Sequence, residues 1–228
     1  MKGLTLDMRW EVVECDQRSP EWVRARLGRL TGSTAPDIVR ATKGGKPSTS
    51  RRNLMVRLAL ERITGRSLEK DFTSPAMQQG IERESAALCQ YEAITGEVVR
   101  GTGFLKALDM MVGCSLDGHV QEGDRIVGII EAKCPIPATH LEYLRTGEIP
   151  KDYRVQMNHN LLVTGADWCD WISYNPDFPE GLRAKLVRVE RNQKELEDYA
   201  VEAGAFLEEI EQVVLDIHRL EADRGEVF

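Results

Sequence analysis

The chain has 228 residues, of which 42% are hydrophobic and 29% charged, a composition typical of a folded globular protein rather than a disordered one. This length suits one domain with a substantial core, and we predict a single domain over residues 1–228. No apolar run is long enough for a signal peptide or a membrane span, so we expect a cytoplasmic protein with no membrane partner.

Charge is distributed unevenly along the chain, although the net value is −7. Residues 18–66 contain twelve basic and three acidic side chains, whereas residues 194–228 contain three basic and eleven acidic ones. The basic, helical 18–66 segment is a candidate surface for DNA phosphates, and the acidic end would repel them. Solvated helix faces explain both segments equally well from charge alone.

Local patterns predict a series of helices and strands. A helix is expected from Ser19 to about 29, because Ser-Pro-Glu is a common helix start, and a short helix follows Ser33. The further predicted elements are helices at 50–64 and 74–95, strands at 98–106, 111–121 and 126–133, helices at 136–146 and 151–163, strands at 168–174 and 185–190, and an acidic amphipathic helix at about 192–221. This order predicts an α/β fold with a central mixed sheet flanked by helices.

The segment 126–133 (IVGIIEAK) has the apolar run of a strand buried on both faces. Glu131 and Lys133 stand two residues apart near its end, so their side chains point to the same side. Burying two charges is unfavourable unless they pair with each other or bind a metal. A structural Glu–Lys pair and a metal site are therefore both open at this point.

Asp117 precedes this strand in the sequence. If residues 123–125 form a three-residue hairpin loop, Asp117 lies opposite Glu131. Two facing carboxylates repel each other unless a cation lies between them, and oxygen ligands suit Mg²⁺ or Mn²⁺ better than zinc. A slip of one residue would separate the pair, and Asp-Gly is also a common turn dipeptide.

A third carboxylate occurs in the helix predicted at 74–95. Its positions 77, 81, 84, 88 and 91 form one helical face on which Glu84 is the single charged residue. Glu84 can extend to the surface or point into a site, and we favour the site. Gln156, three residues after Tyr153, is a weaker candidate on a later helix. These groups suit metal-assisted phosphodiester hydrolysis, with Lys133 orienting water and stabilising negative charge.

Wider motifs resemble the lambda-type phage alkaline exonucleases, also called YqaJ-like viral recombinases, within the restriction-endonuclease-like superfamily. The matching motifs, in family order, are Trp22-x-x-x-Arg26-Leu27-Gly28-x-x-Thr31-x-Ser33, Gly80-x-x-x-Glu84, Ser115-x-Asp117-Gly118, Glu131-x-Lys133-Cys134-Pro135 and Tyr153-x-x-Gln156. The chain departs from the usual pattern at Leu116, where the family often has proline, and at Ala132, where it often has a larger aliphatic residue.

The resemblance implies roles for individual residues. Asp117, Glu131 and the main-chain carbonyl of Ala132 would bind Mg²⁺, or Mn²⁺ in its place. Lys133 would activate water, assisted by Glu84 and Gln156. The residues that would bind the 5′-phosphate of the DNA strand are Arg26, Ser33, Thr31 and Lys43.

The resemblance also implies an activity and partners. Members of the family degrade one strand of double-stranded DNA from its 5′ end, release mononucleotides and leave 3′ overhangs. They form homotrimeric rings and act with a single-strand annealing protein in phage recombination in the bacterial cytoplasm. Two alternatives are a restriction-like or junction-cutting endonuclease and a non-catalytic DNA-binding recombination scaffold.

Overall fold

The computed structural model describes residues 8–40, 46–68 and 75–225, with side chains left out at 75–77 and 224–225. Lys43 and the side chain of Met77 therefore lie outside the described residues. The helices are α1 (Pro20–Arg26), α2 (Ala35–Val39), α3 (Thr49–Thr64), α4 (Pro75–Thr95), α5 (Pro137–Thr146), α6 (Lys151–Thr164) and α7 (Gln193–Gly225), with a 3₁₀ turn at Glu180–Leu182. The strands are β1 (Trp10–Val13), β2 (Leu30–Thr31), β3 (Phe104–Ala107), β4 (Val112–Cys114), β5 (Gly118–Glu122), β6 (Arg125–Lys133), β7 (Trp168–Tyr174) and β8 (Ala184–Glu190).

The helix boundaries follow from capping residues in the sequence. The hydroxyl of Ser19 accepts a hydrogen bond from the Trp22 amide and begins α1. Gly65 and Gly96 follow α3 and α4 with positive φ angles of 65° and 75°, which confirms both predicted stops. Helix α1 ends at Arg26, three residues earlier than expected. None of the described helices has the length and apolar character needed to cross a membrane.

The strands form two four-stranded sheets, in the orders β1-β3-β4-β2 and β5-β6-β7-β8. Strands β2 and β4 pair in parallel, as do β6 and β7, and the other pairs are antiparallel. The fold class is therefore the mixed α/β arrangement expected from the sequence. The single strand expected at 111–121 is wrong, because β4 and β5 belong to different sheets.

The chain changes sheet at Ser115–Asp117 because side chains from the N-terminal segment bind this stretch. The Trp22 indole donates to the Ser115 hydroxyl at 2.7 Å, and the Gln17 amide donates to the Leu116 carbonyl at 3.3 Å. These contacts hold the residues before Asp117 away from regular strand pairing. They also bring the N-terminal segment next to the predicted metal site.

Strand β6 is buried on both faces, as its apolar sequence predicts. Ile129 packs in the core that contains Met157 and Leu161 of α6, while Ile130 packs in the cluster that contains Tyr91 of α4. The sheet β5-β8 is thus covered by α6 on one face and α4 on the other. Side chains from both helices can reach the end of β6.

The β5–β6 hairpin has a different turn from the one expected, but the same register at its open end. Glu122 pairs with Arg125 across a two-residue loop, so the three-residue loop is wrong. A bulge after Val120 then restores the expected offset, and Gly118 pairs with Ile130. Asp117 comes directly before Gly118 and Glu131 directly after Ile130, so the two carboxylates stand next to this last pair.

The uneven charge distribution is partly neutralised in the fold. Helix α7 buries its apolar face in the main core, and its acidic face meets α3. Arg51 pairs with Glu209 at 2.8 Å, and Arg62 pairs with Glu211 at 3.4 Å. The basic segment therefore presents less positive charge to a DNA backbone than its sequence suggests.

Helix α4 is fixed to the sheet by a buried hydrogen bond. The hydroxyl of Tyr91 donates to Asp170 of β7 at 2.8 Å, and Arg188 of β8 binds the same carboxylate through two further hydrogen bonds. Tyr91 is 0% exposed and Asp170 is 1% exposed, so water cannot replace a lost donor. The position of Glu84, two turns earlier in α4, depends on this attachment.

We predict that Tyr91→Phe lowers the free energy of unfolding by about 1 to 3 kcal/mol, because a buried carboxylate loses one donor. Denaturant titration of the metal-free protein measures this loss. Tyr174→Phe is the matched control, since it removes a hydroxyl from a second buried tyrosine, which lies on β7. Equal stability of Tyr91→Phe and the wild-type protein would contradict the assigned role of this bond.

Candidate active site

The side chains of Asp117, Glu131 and Lys133 converge at the open end of the β5–β6 hairpin. The Lys133 ammonium contacts Glu131 Oε1 directly and lies 3.9 Å from Asp117 Oδ2. Asp117 Oδ2 also accepts a hydrogen bond from the Ala132 main-chain amide at 2.8 Å. Both carboxylates are therefore close enough to interact with the same positive charge.

Because the cluster is buried, the pKa of each of its groups depends strongly on the charges of its neighbours. Glu131 is 2% exposed, and burial raises its pKa to about 7, with the negative charges of Asp117 and Glu84 acting in the same direction. Burial alone would lower the pKa of Lys133, but the neighbouring Glu131 and Asp117 outweigh it and hold that pKa above its usual range. Lys133 is accordingly a protonated ammonium at neutral pH.

Glu84 approaches the cluster from α4, as the sequence predicted. Burial raises its pKa to about 7, with Asp117 contributing in the same direction, while Arg18 and Lys133 favour the charged form. Arg18 is a residue that the sequence did not single out. Its φ angle of 69° is left-handed, an uncommon backbone conformation for a residue other than glycine. Such strain recurs at functional sites, and here it places a positive charge within the electrostatic range of Glu84.

Helix α6 lies over the cluster from the opposite face of the sheet. The Tyr153 ring centre lies 5.3 Å from the Lys133 ammonium nitrogen. Gln156 follows one turn later and is half-buried, but within the described residues it forms no hydrogen bond to the acidic cluster. Asn160, another turn along, donates to Glu131 Oε2 at 3.3 Å. Sequence reasoning missed Asn160, although its spacing of four from Gln156 places it on the same helical face.

The N-terminal motif joins the site through Trp22. Besides binding Ser115, its ring is stacked by the Arg26 guanidinium, whose carbon lies 3.9 Å from the ring centre. Ser115 stands two residues before Asp117. Arg26 is therefore held against a ring that is itself bonded to the stretch just before Asp117.

Two other predicted phosphate-binding residues, Thr31 and Ser33, lie at the end of β2 and in the turn that follows it. The hydroxyls of Thr31 and Ser33 are 3.4 Å apart, and Thr31 lines a small basic pocket with Arg26 and Arg57. Ser33 is exposed, whereas Thr31 is 2% exposed and is hydrogen-bonded within the turn. Ser33 is thus more accessible to a phosphate than Thr31, and Lys43 lies outside the described residues.

The donor set at the hairpin end suits a small divalent cation. Two carboxylates and the adjacent Ala132 carbonyl provide only oxygen ligands, which Mg²⁺ and Mn²⁺ prefer. Across residues 8–40, 46–68 and 75–225, the structure brings no three His, Cys, Asp or Glu side chains into one metal-binding group. The described residues therefore fit one ion, held by the two carboxylates and the carbonyl, and Glu84 does not complete a three-carboxylate group.

The mixed sheets flanked by helices define an α/β fold that closely matches the fold of an alkaline exonuclease. The sequence places the chain more narrowly. Residues 21–167 match the YqaJ-like viral recombinase domain, and the chain belongs to this family. The resemblance stated from the motifs is therefore confirmed. No curated protein sequence matches the chain.

Solved structures agree with this assignment. An alkaline exonuclease from Laribacter hongkongensis, LHK-Exo, is 35% identical, with a TM-score of 0.79 over 90% of this chain and 99% of that one. Its complex with dAMP is 34% identical over the same shares of the two chains. A phage-related exonuclease from Haemophilus somnus 129PT is 16% identical, with a TM-score of 0.62 over 83% of this chain and 96% of that one, and it shares the fold. The family and LHK-Exo together support a nuclease.

The raised pKa values make a prediction for stability. Folding raises the pKa of Glu84 and Glu131 from 4.5 to about 7, so the metal-free folded protein binds more protons than the unfolded chain between these values. Their contribution to stability is full below 4.5 and is lost as the pH rises through about 7. A divalent cation that binds the ionised carboxylates would offset this loss. Mg²⁺ should therefore raise the melting temperature more at about pH 8 than at about pH 5.5.

Scanning calorimetry with Mg²⁺ or with EDTA at the two pH values measures this difference. Glu131→Gln is the informative variant, because it removes one titrating carboxylate and one metal ligand without changing the shape of the side chain. Its stability in EDTA should depend less on pH, and Mg²⁺ should stabilise it less. An equal effect of Mg²⁺ at both pH values in the wild-type protein would count against the site.

Proposed function

We propose that the protein is a magnesium-dependent exonuclease that digests one strand of double-stranded DNA from its 5′ end. It releases 5′-mononucleotides and leaves 3′ single-stranded overhangs for recombination. The observation that supports this most strongly is the convergence of Asp117, Glu131 and Lys133 at one strand end in a chain of the YqaJ-like family. The likeness to LHK-Exo, solved as an alkaline exonuclease and with dAMP bound, supports DNA as the substrate and a mononucleotide as the product.

In the proposed mechanism, the carboxylates of Asp117 and Glu131 and the Ala132 carbonyl would hold Mg²⁺, or Mn²⁺ in its place. When bound, the ion would supply positive charge that lowers the pKa of water and polarises the scissile phosphate. Asp117 is oriented for this role by the Ala132 amide, which occupies one side of its carboxylate. The ligands are therefore fixed before a substrate arrives.

Lys133 and Glu84 provide the charges that the reaction requires. Because Lys133 is protonated, its ammonium donates hydrogen bonds that orient the attacking water and stabilise negative charge developing on the phosphate. Glu84 has a pKa of about 7, a value suited to accepting or releasing a proton near neutral pH. Gln156, on the face of α6 that covers the site, assists by hydrogen bonding to substrate or water.

Digestion from a 5′ end requires recognition of the terminal phosphate. We assign this to Arg26 and Ser33, with Thr31 at the end of β2 and with Lys43, which lies outside the described residues. The ring of Trp22 restrains the Arg26 guanidinium, which lowers the entropy lost when it binds an anion. The link from Trp22 through Ser115 sets this group at a fixed place relative to Asp117.

The family resemblance also supports assembly and partners. We propose a homotrimeric ring around DNA, which would make digestion processive, and cooperation with a single-strand annealing protein in the cytoplasm of a phage-infected bacterium. Light scattering of the purified protein tests the trimer. A monomer at all concentrations would remove the ring from the proposal without affecting the chemistry.

A product assay tests the function directly. A linear duplex labelled at one 5′ end should release labelled mononucleotide when Mg²⁺ is present and nothing in EDTA, while closed circular DNA stays intact. Lys133→Ala should digest the duplex about 10² to 10³ times more slowly, because one charged group that stabilises the transition state is lost. Gel-shift binding of the same duplex by this variant should persist.

Two results would contradict the proposal. Digestion of closed circles at a rate comparable to linear duplexes would indicate an endonuclease that shares the same metal site. DNA binding by the wild-type protein without any Mg²⁺-dependent product would indicate a non-catalytic scaffold.

The role of Arg26 gives a separate prediction. The wild-type protein should prefer duplexes with a 5′-phosphate over those with a 5′-hydroxyl, and Arg26→Ala should reduce this preference by about 10- to 100-fold, the equivalent of one charge-assisted hydrogen bond. Arg24→Ala is the matched control, because Arg24 lies on the same helix, is 65% exposed and pairs with Glu21. Equal effects of the two substitutions would show that the helix contributes only general positive charge.

A further inference from the structure

Asn160 is a buried amide whose two ends have different surroundings. It is 2% exposed, and its Nδ2 donates to Glu131 Oε2 at 3.3 Å. Its Oδ1 is also buried and has no hydrogen-bond partner among the described residues. Buried polar atoms are normally paired, so this amide is held at its Nδ2 end by the bond to Glu131 and at its Oδ1 end by packing alone.

Gly32 is the neighbour that fixes the Asn160 amide from the other side. A Cβ atom at Gly32 would lie 2.3 Å from Asn160 Oδ1, closer than non-bonded atoms approach. The φ angle of Gly32 is not in the positive range, so backbone conformation does not require glycine here. Glycine is needed at this position because the amide of α6 packs directly against the turn between Thr31 and Ser33.

The hydrogen bond to Asn160 sets the direction of the Glu131 carboxylate. Oε2 is occupied by the amide, which leaves Oε1 directed at the Lys133 ammonium, and that ammonium lies 3.9 Å from Asp117 Oδ2. A carboxylate without the amide can rotate about its last torsion and take Oε1 away from the other groups. Groups that orient metal ligands in this manner commonly change metal affinity when they are removed.

We infer that Asn160 is a positioning residue that, held in place by the close approach of Gly32, orients Glu131 for binding the divalent cation. The inference rests on the proposed function, since it concerns the metal site assigned there. It adds a residue from outside the acidic and lysine motifs. It also connects the metal site physically to the turn assigned to the 5′-phosphate.

Manganese binding to the DNA-free protein tests this inference without depending on catalysis. The free Mn²⁺ signal in electron paramagnetic resonance gives the affinity directly. We expect Asn160→Ala to weaken Mn²⁺ binding by about 10- to 100-fold, with an unchanged circular dichroism spectrum. In the nuclease assay, the same variant should recover activity at high Mg²⁺ concentration, which a general folding defect would not allow.

The matched control is Asn158→Ala. Asn158 lies on the same helix, is 8% exposed and donates to a carboxylate, but that carboxylate belongs to Glu195. Its substitution removes an equivalent buried amide and should leave Mn²⁺ affinity within about twofold of wild type, because distant sites act independently. A similar loss in both variants would mean that any buried amide of α6 serves, and would overturn the specific role of Asn160.

Gly32→Ala provides a second variant in which Asn160 and Glu131 are intact. The added methyl group should displace the amide and weaken Mn²⁺ binding in the same way as Asn160→Ala. Because both changes act through one contact, Gly32→Ala should add no further loss in the Asn160→Ala background. This variant tests the inference even if Asn160→Ala does not fold.

The outcomes separate the inference from the proposed function. If the wild-type protein binds Mn²⁺ but digests no DNA, the function is wrong and the positioning role is still judged by the affinities. If the wild type digests DNA while Asn160→Ala or Gly32→Ala binds Mn²⁺ with wild-type affinity, the inference is overturned and the function stands. Absence of Mn²⁺ binding by the wild type would overturn the inference as well.

Discussion

Two carboxylates, Asp117 and Glu131, lie beside each other at the end of a buried hairpin, and the rest of the site depends on neutralising their repulsion. Lys133 supplies one positive charge, but a single ammonium leaves the cluster with excess negative charge once Glu84 ionises. The pKa of Glu131 reflects the same excess of negative charge, because burial together with the charges of Asp117 and Glu84 raises it to about 7. A divalent cation bound by the two carboxylates, as proposed, would offset this imbalance and compete with the ammonium for the same carboxylate oxygens. Lys133 would then be available to donate hydrogen bonds to water or phosphate in the proposed reaction.

Both faces of one sheet supply the groups around this pair. Helix α4 brings Glu84 from one side and is attached through Tyr91, while α6 brings Asn160 from the other side. The N-terminal segment reaches the same place through Trp22, which binds the stretch before Asp117. The proposed metal site and the proposed 5′-phosphate site are thereby joined by short chains of direct contacts, and helices and strands hold most of the contributing side chains.

The sequence predicted those features that follow from period and local chemistry. The apolar run that ends at Glu131 and the isolated carboxylate Glu84 on an apolar helix face are confirmed in their placement. The expected offset between the strands is found at the pair next to Asp117, Gly118 with Ile130, although a shorter loop and a bulge together produce it and the sequence carries no separate signal for either. The break between β4 and β5 depends on the distant side chains of Trp22 and Gln17, which no local pattern reveals. Asn160 was missed for the same reason, because its partner is 29 residues away and lies on a different element.

The charge pattern of the sequence overstated the number of basic residues available to bind phosphate, but it included Arg26, which lies near the acidic site. Basic residues of α3 that look available for phosphate in the sequence are paired with the acidic face of α7, since tertiary packing brings the two segments together. Arg26, by contrast, lies against an aromatic ring beside the acidic site.

The most direct measurement of the central claim is the anomalous scattering of crystals grown with Mn²⁺. We expect a single anomalous peak within coordination distance of the Asp117 and Glu131 carboxylates and the Ala132 carbonyl, and the Lys133 ammonium should have moved away from Glu131. Mn²⁺ bound only elsewhere, or carboxylates still closed on the lysine at saturating metal, would contradict it.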